Sequence, residues 1–524
     1  MPRPHVRRLR SRSAAAATGI LVTGLLAAPA SAQGETPGGA SGTVARTVGD
    51  ARYEPGPCPK TPEPVPELER ARCGTLTVPE NRARPGGRTI KLGVAIVPAA
   101  AAHPKPDPIL WLSGGPGDDA VGAAERAVDG GLNRDRDVIL MSQRGTYSAD
   151  PALMCRNIDE FNARAVGLVY DAPSTERAHV DATKACRKKL AGTGADLGAY
   201  NDIESADDYA DLRTTLGLDK WNVFGISYGT HLALAYMRLH PEGIRAVGLD
   251  GILPPSRASA AATWSSARQG LDDLFKACAE QPACNRRYPN LSATFDRLVR
   301  ELEAKPVTTT VTLPDSPKPV KVVLDGGALL NWMVSATHVA PGVPRSLDEL
   351  AHGNPQRIAE QWAASRFGPQ AIGRVSHGLA YGVFCSAWVP YETVTQAVRA
   401  AHEAFPGFPA SVLAQAPQLP FLRSDCEAWH IPAAPGSIRD VTRSDIPTLV
   451  LSGGFDSQTG ADNGPYVART LRRATVVTIP YAPHVVFAAS KCARTITSSF
   501  FDTPTAPDTA CLKDLKPPKF EIAP

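Results

Sequence analysis

Residues 221–231 read Trp-Asn-Val-Phe-Gly-Ile-Ser-Tyr-Gly-Thr-His, and this stretch decides the fold. Its first four residues form an apolar run that predicts a buried strand, and residues 230–239 have the pattern of a helix. Between them stands the pattern G-x-S-x-G, which is typical of a sharp strand-to-helix turn that lifts a serine above the edge of a sheet. The amino end of the helix would offer N–H groups to a developing oxyanion. We therefore interpret Ser227 as a nucleophile rather than as an incidental serine in a glycine-rich turn.

Apolar runs of strand length recur on both sides of this turn. Most are continuous rather than alternating, as in strands that are buried on both faces of a parallel sheet. Helix-like stretches separate several of them, and this repetition predicts an α/β fold with a doubly wound, mostly parallel sheet. The runs are residues 90–97, 109–112, 138–141, 221–224, 246–249, 448–451 and 475–479, with helix-like stretches at 205–216, 230–239 and 464–473.

A serine hydroxyl needs a base to become a nucleophile, and the base needs an acid that orients it. In the α/β-hydrolase fold, which this pattern of strands and turn predicts, the order along the chain is Ser, acid, His. The run 448–451 leads into Ser-Gly-Gly-Phe-Asp456, and the last run leads into Pro-Tyr-Ala-Pro-His484. Both residues therefore follow the carboxyl ends of strands, where sites form in such sheets. The sequence predicts a Ser227–His484–Asp456 catalytic triad, although Asp456 alone could cap a helix and His484 alone could be a surface histidine.

The loop after the run 109–112 reads Ser113-Gly-Gly-Pro-Gly117. The second oxyanion donor of this fold comes from the corresponding loop, and the first comes from the residue after the nucleophile. We therefore expect the backbone N–H groups of Gly115 and Tyr228 to form the oxyanion hole.

This loop resembles the His-Gly-Gly-Pro-Gly motif of the proline-iminopeptidase group of α/β hydrolases, with Ser113 in place of the histidine. The run Gln143-Arg144-Gly145-Thr146, the turn at Ser227 and the C-terminal segment extend the resemblance to the secreted, tripeptidyl-aminopeptidase-like branch of that group. The resemblance implies a serine peptidase that needs no cofactor and releases short peptides from free N-termini. Departures at Ser142, at Asp118-Asp119 and around His484 leave the substrate open. A carboxylesterase or lipase-like ester hydrolase with the same triad, and a binding protein on a hydrolase scaffold, are the alternatives.

Recognition of a free N-terminus requires a carboxylate that neutralises the substrate ammonium. The sequence does not choose among the acidic residues near the predicted site. The candidates are Asp118, Asp119, Glu204, Asp425 and Glu427.

About 200 residues separate the runs 246–249 and 448–451, far more than a normal connection between strands. We interpret residues 255–440 as an inserted lid domain. The hydrolase core then consists of residues 57–254 and 441–524.

The amino-terminal residues predict export. Residues 1–32 combine five arginines, an apolar run and the sequence Ala-Ser-Ala at 30–32, which together are typical of a secretory signal peptide and its cleavage site. Residues 33–56 are rich in Gly, Thr, Ser and Pro and predict a flexible leader or pro-segment. We expect a secreted protein, either extracellular or associated with the cell envelope, and leave open whether it uses the Sec or the twin-arginine route.

The net charge of the chain and the spacing of its histidines limit the kinds of partner that the sequence predicts. Five of the 56 lysine and arginine residues lie in the predicted signal, so 51 remain against 52 acidic residues. This balance gives no electrostatic argument for nucleic acid or a membrane as a partner. The eleven histidines lack the spacing of metal ligands, and we expect no metal. We expect a monomer that acts on a peptide or small ester.

Ten cysteines in an exported chain predict disulfide bonds. Because short loops close most easily, we expect sequential pairing. The expected pairs are Cys58–Cys73, Cys155–Cys186, Cys278–Cys284, Cys385–Cys426 and Cys492–Cys511.

Overall fold

The structure, a computed structural model, describes residues 44–522 except 315, 317 and 368–371. The predicted signal peptide, residues 1–32, lies outside the described residues, as does the first part of the predicted leader. The described chain contains an 11-stranded sheet and a separate two-stranded hairpin. The strands are β1 (Arg46–Val48), β2 (Ala51–Pro55), β3 (Arg72–Pro79), β4 (Thr89–Val97), β5 (Ile109–Leu112), β6 (Val138–Met141), β7 (Ala149–Asp150), β8 (Trp221–Ile226), β9 (Ile244–Asp250), β10 (Val307–Val311), β11 (Val320–Leu324), β12 (Thr448–Gly453) and β13 (Ala474–Ile479).

Six strands form the parallel part of the large sheet, in the order β6-β5-β8-β9-β12-β13. Every residue of β5, β6, β8 and β12 is buried, as continuous apolar runs predict for strands covered on both faces. Apolar clusters lie on the two faces of the sheet, one around Trp221 and the other around Trp111. The prediction of a doubly wound, mostly parallel sheet is confirmed.

Helices cover the sheet and make up most of the long insertion. Those of the described chain are α1 (Ala124–Asp129), α2 (Arg156–Ala165), α3 (Pro173–Ala191), α4 (Asp202–Thr215), α5 (Tyr228–Leu239), α6 (Ala260–Ala279), α7 (Pro282–Arg287), α8 (Leu291–Ala304), α9 (Gly326–Ala336), α10 (Val343–Ala351), α11 (Gln356–Ala364), α12 (His377–Val383), α13 (Val394–Ala404), α14 (Ala410–Leu413), α15 (Leu422–Trp429), α16 (Asn463–Ala468), α17 (Val486–Ala489) and α18 (Lys491–Asp502). None of the helices in the described part of the chain has the length and apolarity of a membrane span.

Part of the segment that we predicted as a flexible leader forms strands at the edge of the sheet that lies before β6. Strands β1 to β4 pair antiparallel in chain order, so residues 46–55 belong to the sheet. Ala51 and Tyr53 are buried and Arg52 is exposed, which is the alternation of a strand with one covered face. The prediction of a flexible segment over residues 33–56 was wrong for 46–55, because two short strands give less signal than the glycine and proline around them.

The insertion lies between β9 and β12 and holds α6 to α15 together with the β10–β11 hairpin. Its first part packs around its own apolar cluster, which includes Trp264, Phe295 and Trp332. Helices α12 and α15 do not, because Tyr381, Phe384 and Trp429 in and next to them join the apolar cluster of the sheet, whereas α13 and α14 pack in the insertion's own cluster. Helix α15 packs on α3, which precedes the nucleophile strand in the chain. The insertion therefore shares its packing with the core.

All five predicted disulfide pairings are present in the structure. Cys155–Cys186 joins the start of α2 to α3, and Cys385–Cys426 joins the chain after α12 to α15. These two bridges therefore hold neighbouring segments that meet above the sheet. The prediction of sequential pairing is confirmed.

Loop length should set the stabilisation by each bridge. Cys385 and Cys426 are 41 residues apart, whereas Cys278 and Cys284 are 6 apart. In the chain-entropy account, the disulfide that closes the longer loop raises the free energy of unfolding by about 2 kcal/mol more than the one that closes the shorter loop. The C385S/C426S double variant should therefore show a larger fall in Tm by calorimetry than C278S/C284S. Equal falls in Tm would contradict the entropic account for this chain.

Candidate active site

The turn between β8 and α5 is possible only because two glycines stand beside it. A Cβ on Gly225 would lie 2.5 Å from the carbonyl oxygen of Gly229, and a Cβ on Gly229 would overlap the carbonyl oxygen of Leu112. Ser227 itself has φ 52° and ψ −125°, a conformation that costs an L-residue energy. Its N–H donates to the carbonyl oxygen of Asp250 at 2.8 Å, which fixes the turn against β9. The local sequence thus places the serine at the edge of the sheet in a single strained conformation.

The imidazole of His484 bridges the serine and a carboxylate. Its Nε2 is 2.8 Å from Ser227 Oγ, and its Nδ1 is 2.9 Å from Asp456 Oδ2. Because the carboxylate accepts, Nδ1 carries the proton, which leaves the Nε2 lone pair facing the serine hydroxyl. The structure therefore brings the three predicted residues into the hydrogen-bonded order Ser-His-Asp.

Asp456 is held in place by the turn that follows β12. It is buried, and it accepts from the backbone N–H groups of Gln458 and Thr459, each at 2.9 Å, and from Thr459 Oγ1 at 2.7 Å. Burial alone would raise the pKa of Asp456, but the charge of His484 and these hydrogen bonds lower it to about 2. The carboxylate is therefore ionised over the whole physiological range. Our sequence reasoning missed Thr459, whose only signal is a hydroxyl three residues after the acid.

His484 is buried next to this carboxylate. Burial alone would lower the pKa of His484, but the charge of Asp456 and its hydrogen bond raise the pKa above the ordinary histidine value. The imidazole is thus more basic than a free one, as a group that takes a proton from serine requires.

The two predicted oxyanion donors lie beside the serine. Tyr228 is the first residue of α5, so its N–H has no acceptor within the helix. The loop after β5 passes over the nucleophile, because a Cβ on Gly114 would lie 3.0 Å from Ser227 Cβ. Gly115 follows in that loop with φ 102°. The arrangement can present two N–H groups to an oxygen bound at Ser227.

Two family models match the chain. Residues 107–316 match the model described as alpha/beta hydrolase fold, and residues 411–511 match the one described as TAP-like protein. The chain is a TAP-like α/β hydrolase. The Ser-His-Asp arrangement is the one that serine hydrolases use for nucleophilic catalysis.

Curated relatives of this TAP-like hydrolase include peptidases and an esterase. It is 29% identical over 243 residues to serine protease Hip1 of Mycobacterium tuberculosis (44% of this chain, 45% of that protein). It is 28% identical over 216 residues to tripeptidyl aminopeptidase of Streptomyces lividans (39% of each). It is 26% identical over 292 residues to carboxylesterase B of M. tuberculosis (53% and 55%). The chain spans about half the length of the curated relatives it matches.

Among solved structures, the proline iminopeptidase of Mycobacterium smegmatis is 16% identical, with a TM-score of 0.39. The alignment covers 83% of this chain and 98% of that one.

A cavity of about 430 Å³ begins at Gly115 and Pro116 and extends between α2, α3 and the insertion. Two buried carboxylates lie in its wall. Asp159 accepts from His377 Nε2 at 2.8 Å, and Asp425 accepts from Tyr381 OH at 3.1 Å and Thr183 Oγ1 at 2.8 Å and pairs with His179. The remaining wall includes Arg366 and six aromatic side chains, those of Phe161, Tyr170, Trp362, Tyr381, Phe384 and Phe421.

The five acidic residues that are candidates for binding the substrate ammonium lie at different places in the structure. Asp425 lines the cavity beside Gly115, whereas Asp118 and Asp119 line a second cavity of about 790 Å³. Asp119 is engaged by three hydroxyl groups, those of Ser142, Thr146 and Ser148.

Glu204 and Glu427 do not fit the role for which the sequence made them candidates, that of the carboxylate that binds the substrate ammonium. Glu204 accepts from the backbone N–H of Arg82 at 3.0 Å and from its guanidinium at 2.8 Å, so an ion pair occupies its oxygens. Glu427 is exposed on α15 and lines neither cavity. Asp159, which does line the first cavity, was missed because nothing in its local sequence distinguishes it from a helix-surface acid.

The raised pKa of His484 predicts the pH dependence of kcat/KM. Protonated His484 cannot accept the serine proton, so activity falls as pH drops through the pKa of the free enzyme. We expect the midpoint of this acid limb above 6.5, the ordinary value. Asp456→Asn removes the charge that raises the pKa, and the limb should move to lower pH. The rate of covalent labelling by a fluorophosphonate, measured against pH, checks both; an unmoved limb in the variant would contradict the assignment.

Proposed function

We propose that this hydrolase is an aminopeptidase that releases short peptides from free N-termini through an acyl-enzyme on Ser227. His484 takes the proton of Ser227 Oγ as the oxygen attacks the scissile carbonyl, and then gives it to the leaving amine. Asp456 orients the imidazole and stabilises its cation. The N–H groups of Tyr228 and Gly115 bind the oxyanion. Water, activated by His484, then releases the acyl group and restores the serine. These steps need no cofactor.

The observation that carries this proposal is the pair of buried carboxylates in the aromatic cavity next to Gly115. A charge buried among aromatic side chains is costly unless a partner of opposite sign is present. Asp159 and Asp425 are already hydrogen-bonded to the imidazoles of His377 and His179. An ammonium group would add a full positive charge beside either carboxylate, and the aromatic faces would add cation–π attraction. Because the cavity starts at the oxyanion loop, a peptide could place its N-terminus there and its scissile bond at Ser227.

The insertion supports an exopeptidase over an enzyme that cleaves folded proteins. Ser457, the residue after Asp456, donates to the carbonyl oxygen of Val334 at 2.6 Å, so α9 of the insertion packs against the turn of the acid. On the other side, α12 and α15 contribute Tyr381 and Asp425 to the cavity. We propose that residues 255–440 act as a lid that admits chain ends and excludes folded substrates.

The relative named tripeptidyl aminopeptidase agrees with this proposal, and the one named serine protease agrees with a peptidase. The relative named carboxylesterase B favours a second candidate, an ester hydrolase with the same triad. The aromatic cavity would suit an apolar acyl group as well. Comparing kcat/KM for peptide amides with free amines against simple aryl esters separates the two.

We also propose that the protein is exported. Five disulfide bonds are rare in a reducing cytosol, and residues 1–32 have the pattern of a secretory signal. We expect protein recovered from the culture medium or cell envelope to begin after Ala32. N-terminal sequencing checks this, and recovery of the intact chain from the cytosol alone would contradict it.

The substrate ammonium should determine specificity. Acetylating the N-terminus of a peptide removes the positive charge that would pair with a buried carboxylate, which should lower kcat/KM about 30- to 1000-fold. Asp425→Asn and Asp159→Asn test which carboxylate is responsible, because the responsible one should shrink the preference for free amines. Glu427→Gln is the matched control on the same helix as Asp425, and it should leave the preference intact. Equal kcat/KM for free and acetylated peptides would rule out the aminopeptidase.

The Ser227→Ala variant tests the catalytic chemistry independently of which substrate the enzyme prefers. Removing the nucleophile should lower kcat by a factor on the order of 10⁴ or more for peptides and esters alike. The Tm should stay close to that of the parent protein, because alanine removes only one hydroxyl. A folded variant with kcat within tenfold of the parent would refute the assignment.

A further inference from the structure

Asp250 is a buried carboxylate that none of these steps uses. It is the last residue of β9 and has no exposed surface. Strand β9 lies between β8 and β12, and the register aligns Asp250 with Ile226 on one side and Leu451 on the other. The backbone oxygen of Asp250 accepts the N–H of Ser227 at 2.8 Å. Asp250 therefore lies between the strand that carries the nucleophile and the strand that carries the acid.

The side chain of Asp250 holds the loop that carries the base. Its Oδ1 accepts from the N–H of Val486 at 2.9 Å, and its Oδ2 accepts from the N–H of Phe487 at 2.8 Å. These are the second and third residues after His484. The residue between, Val485, has φ 62° and ψ 76°, a left-handed conformation that is strained for a β-branched residue. The two hydrogen bonds that these N–H groups donate to the buried carboxylate offset this strain and hold the loop in one position.

The residue after Asp250 touches the imidazole itself. A Cβ on Gly251 would lie 2.8 Å from His484 Cε1, so the backbone that leaves β9 packs against the ring. One short segment thus contacts the serine through its carbonyl oxygen, the histidine loop through its carboxylate and the imidazole through its backbone.

We propose that Asp250 is a positioning residue, which joins the turn of Ser227 to the loop of His484 and places a second negative charge beside the imidazole. The inference rests on the proposed chemistry at Ser227. It adds a carboxylate from a third strand to the two loops that carry the base and its acid.

The charges around His484 give this role a pH signature. Among the described residues, three titratable groups interact electrostatically with the imidazole: Asp456 after β12, Asp250 at the end of β9 and His338 in the insertion. Burial raises the pKa of Asp250 to about 7, against the lowering effect of its two backbone hydrogen bonds. After Asp456, Asp250 is the other group whose charge raises the pKa of His484. The pKa of His338 is lowered by desolvation and by repulsion from a charged His484.

The test compares Asp250→Asn with Asp325→Asn. Asp325 is a matched control, since it is also fully buried and also accepts from backbone N–H groups, among them those of Tyr170 and Ala328. For Asp250→Asn we expect kcat to fall on the order of 10- to 100-fold, with KM changed less than about twofold. The acid limb of the fluorophosphonate labelling rate should move to lower pH, because a negative charge beside His484 is lost. Asp325→Asn should lower Tm and leave the limb in place. A limb in Asp250→Asn that coincides with that of the control would overturn the inference.

A second measurement uses the parent protein and does not depend on the variant's folding. Amide hydrogen exchange of a peptide that covers residues 485–489 should show protection at pH 8. After correction for intrinsic rates, that protection should fall as pH drops below 7 and Asp250 takes a proton, while protection of α18 stays constant. If the protection of residues 485–489 were as independent of pH as that of α18, the inference would be overturned. Failure of the proposed chemistry at Ser227 is distinguishable, because the Ser227→Ala variant would then keep its activity whatever the Asp250→Asn variant does.

Discussion

The close contact of Gly229 with the backbone of Leu112 is the constraint on which the site depends. It lets α5 begin with only Ser227 between it and the end of β8, and no side chain larger than hydrogen fits at Gly225 or Gly229. The serine between them is held in a strained conformation with its hydroxyl outside the sheet. A nucleophile that is already placed loses little freedom when substrate binds, which is one way that enzymes lower the barrier of a bimolecular step.

The parallel sheet brings the partners to this serine. His484 and Ser227 are 257 residues apart in the chain, yet both follow the carboxyl ends of strands in one sheet, and these ends meet at one edge. The turn after β12 supplies Asp456 at the same edge. Asp250, at the end of the strand between, contacts both the serine turn and the histidine loop. The order of the strands in the sheet therefore brings the catalytic residues together. The insertion contributes walls of the cavity but none of the three triad residues.

The core of this arrangement could be predicted from the sequence because its signals are local. Buried parallel strands are continuous apolar runs, and the turn at Ser227 needs glycines at fixed positions. The first strands were missed, since Arg46–Val48 and Ala51–Pro55 are too short to show a period. Glu204 and Asp159 illustrate the limit for the cavity: each is an acid on a helix, and only tertiary contacts show that Arg82 occupies the first while the second lines the cavity. Asp250 was missed for the same reason, because its partners lie 236 and 237 residues away.

Locating the adduct of a fluorophosphonate by tandem mass spectrometry tests the central claim, nucleophilic catalysis by Ser227, most directly. The protein would be inactivated with the reagent, digested and sequenced, with activity followed in parallel. The account predicts one adduct per chain, on the side chain of Ser227, which forms in step with the loss of activity. Inactivation that leaves Ser227 unmodified, or an adduct on another residue that accounts for the lost activity, would contradict it.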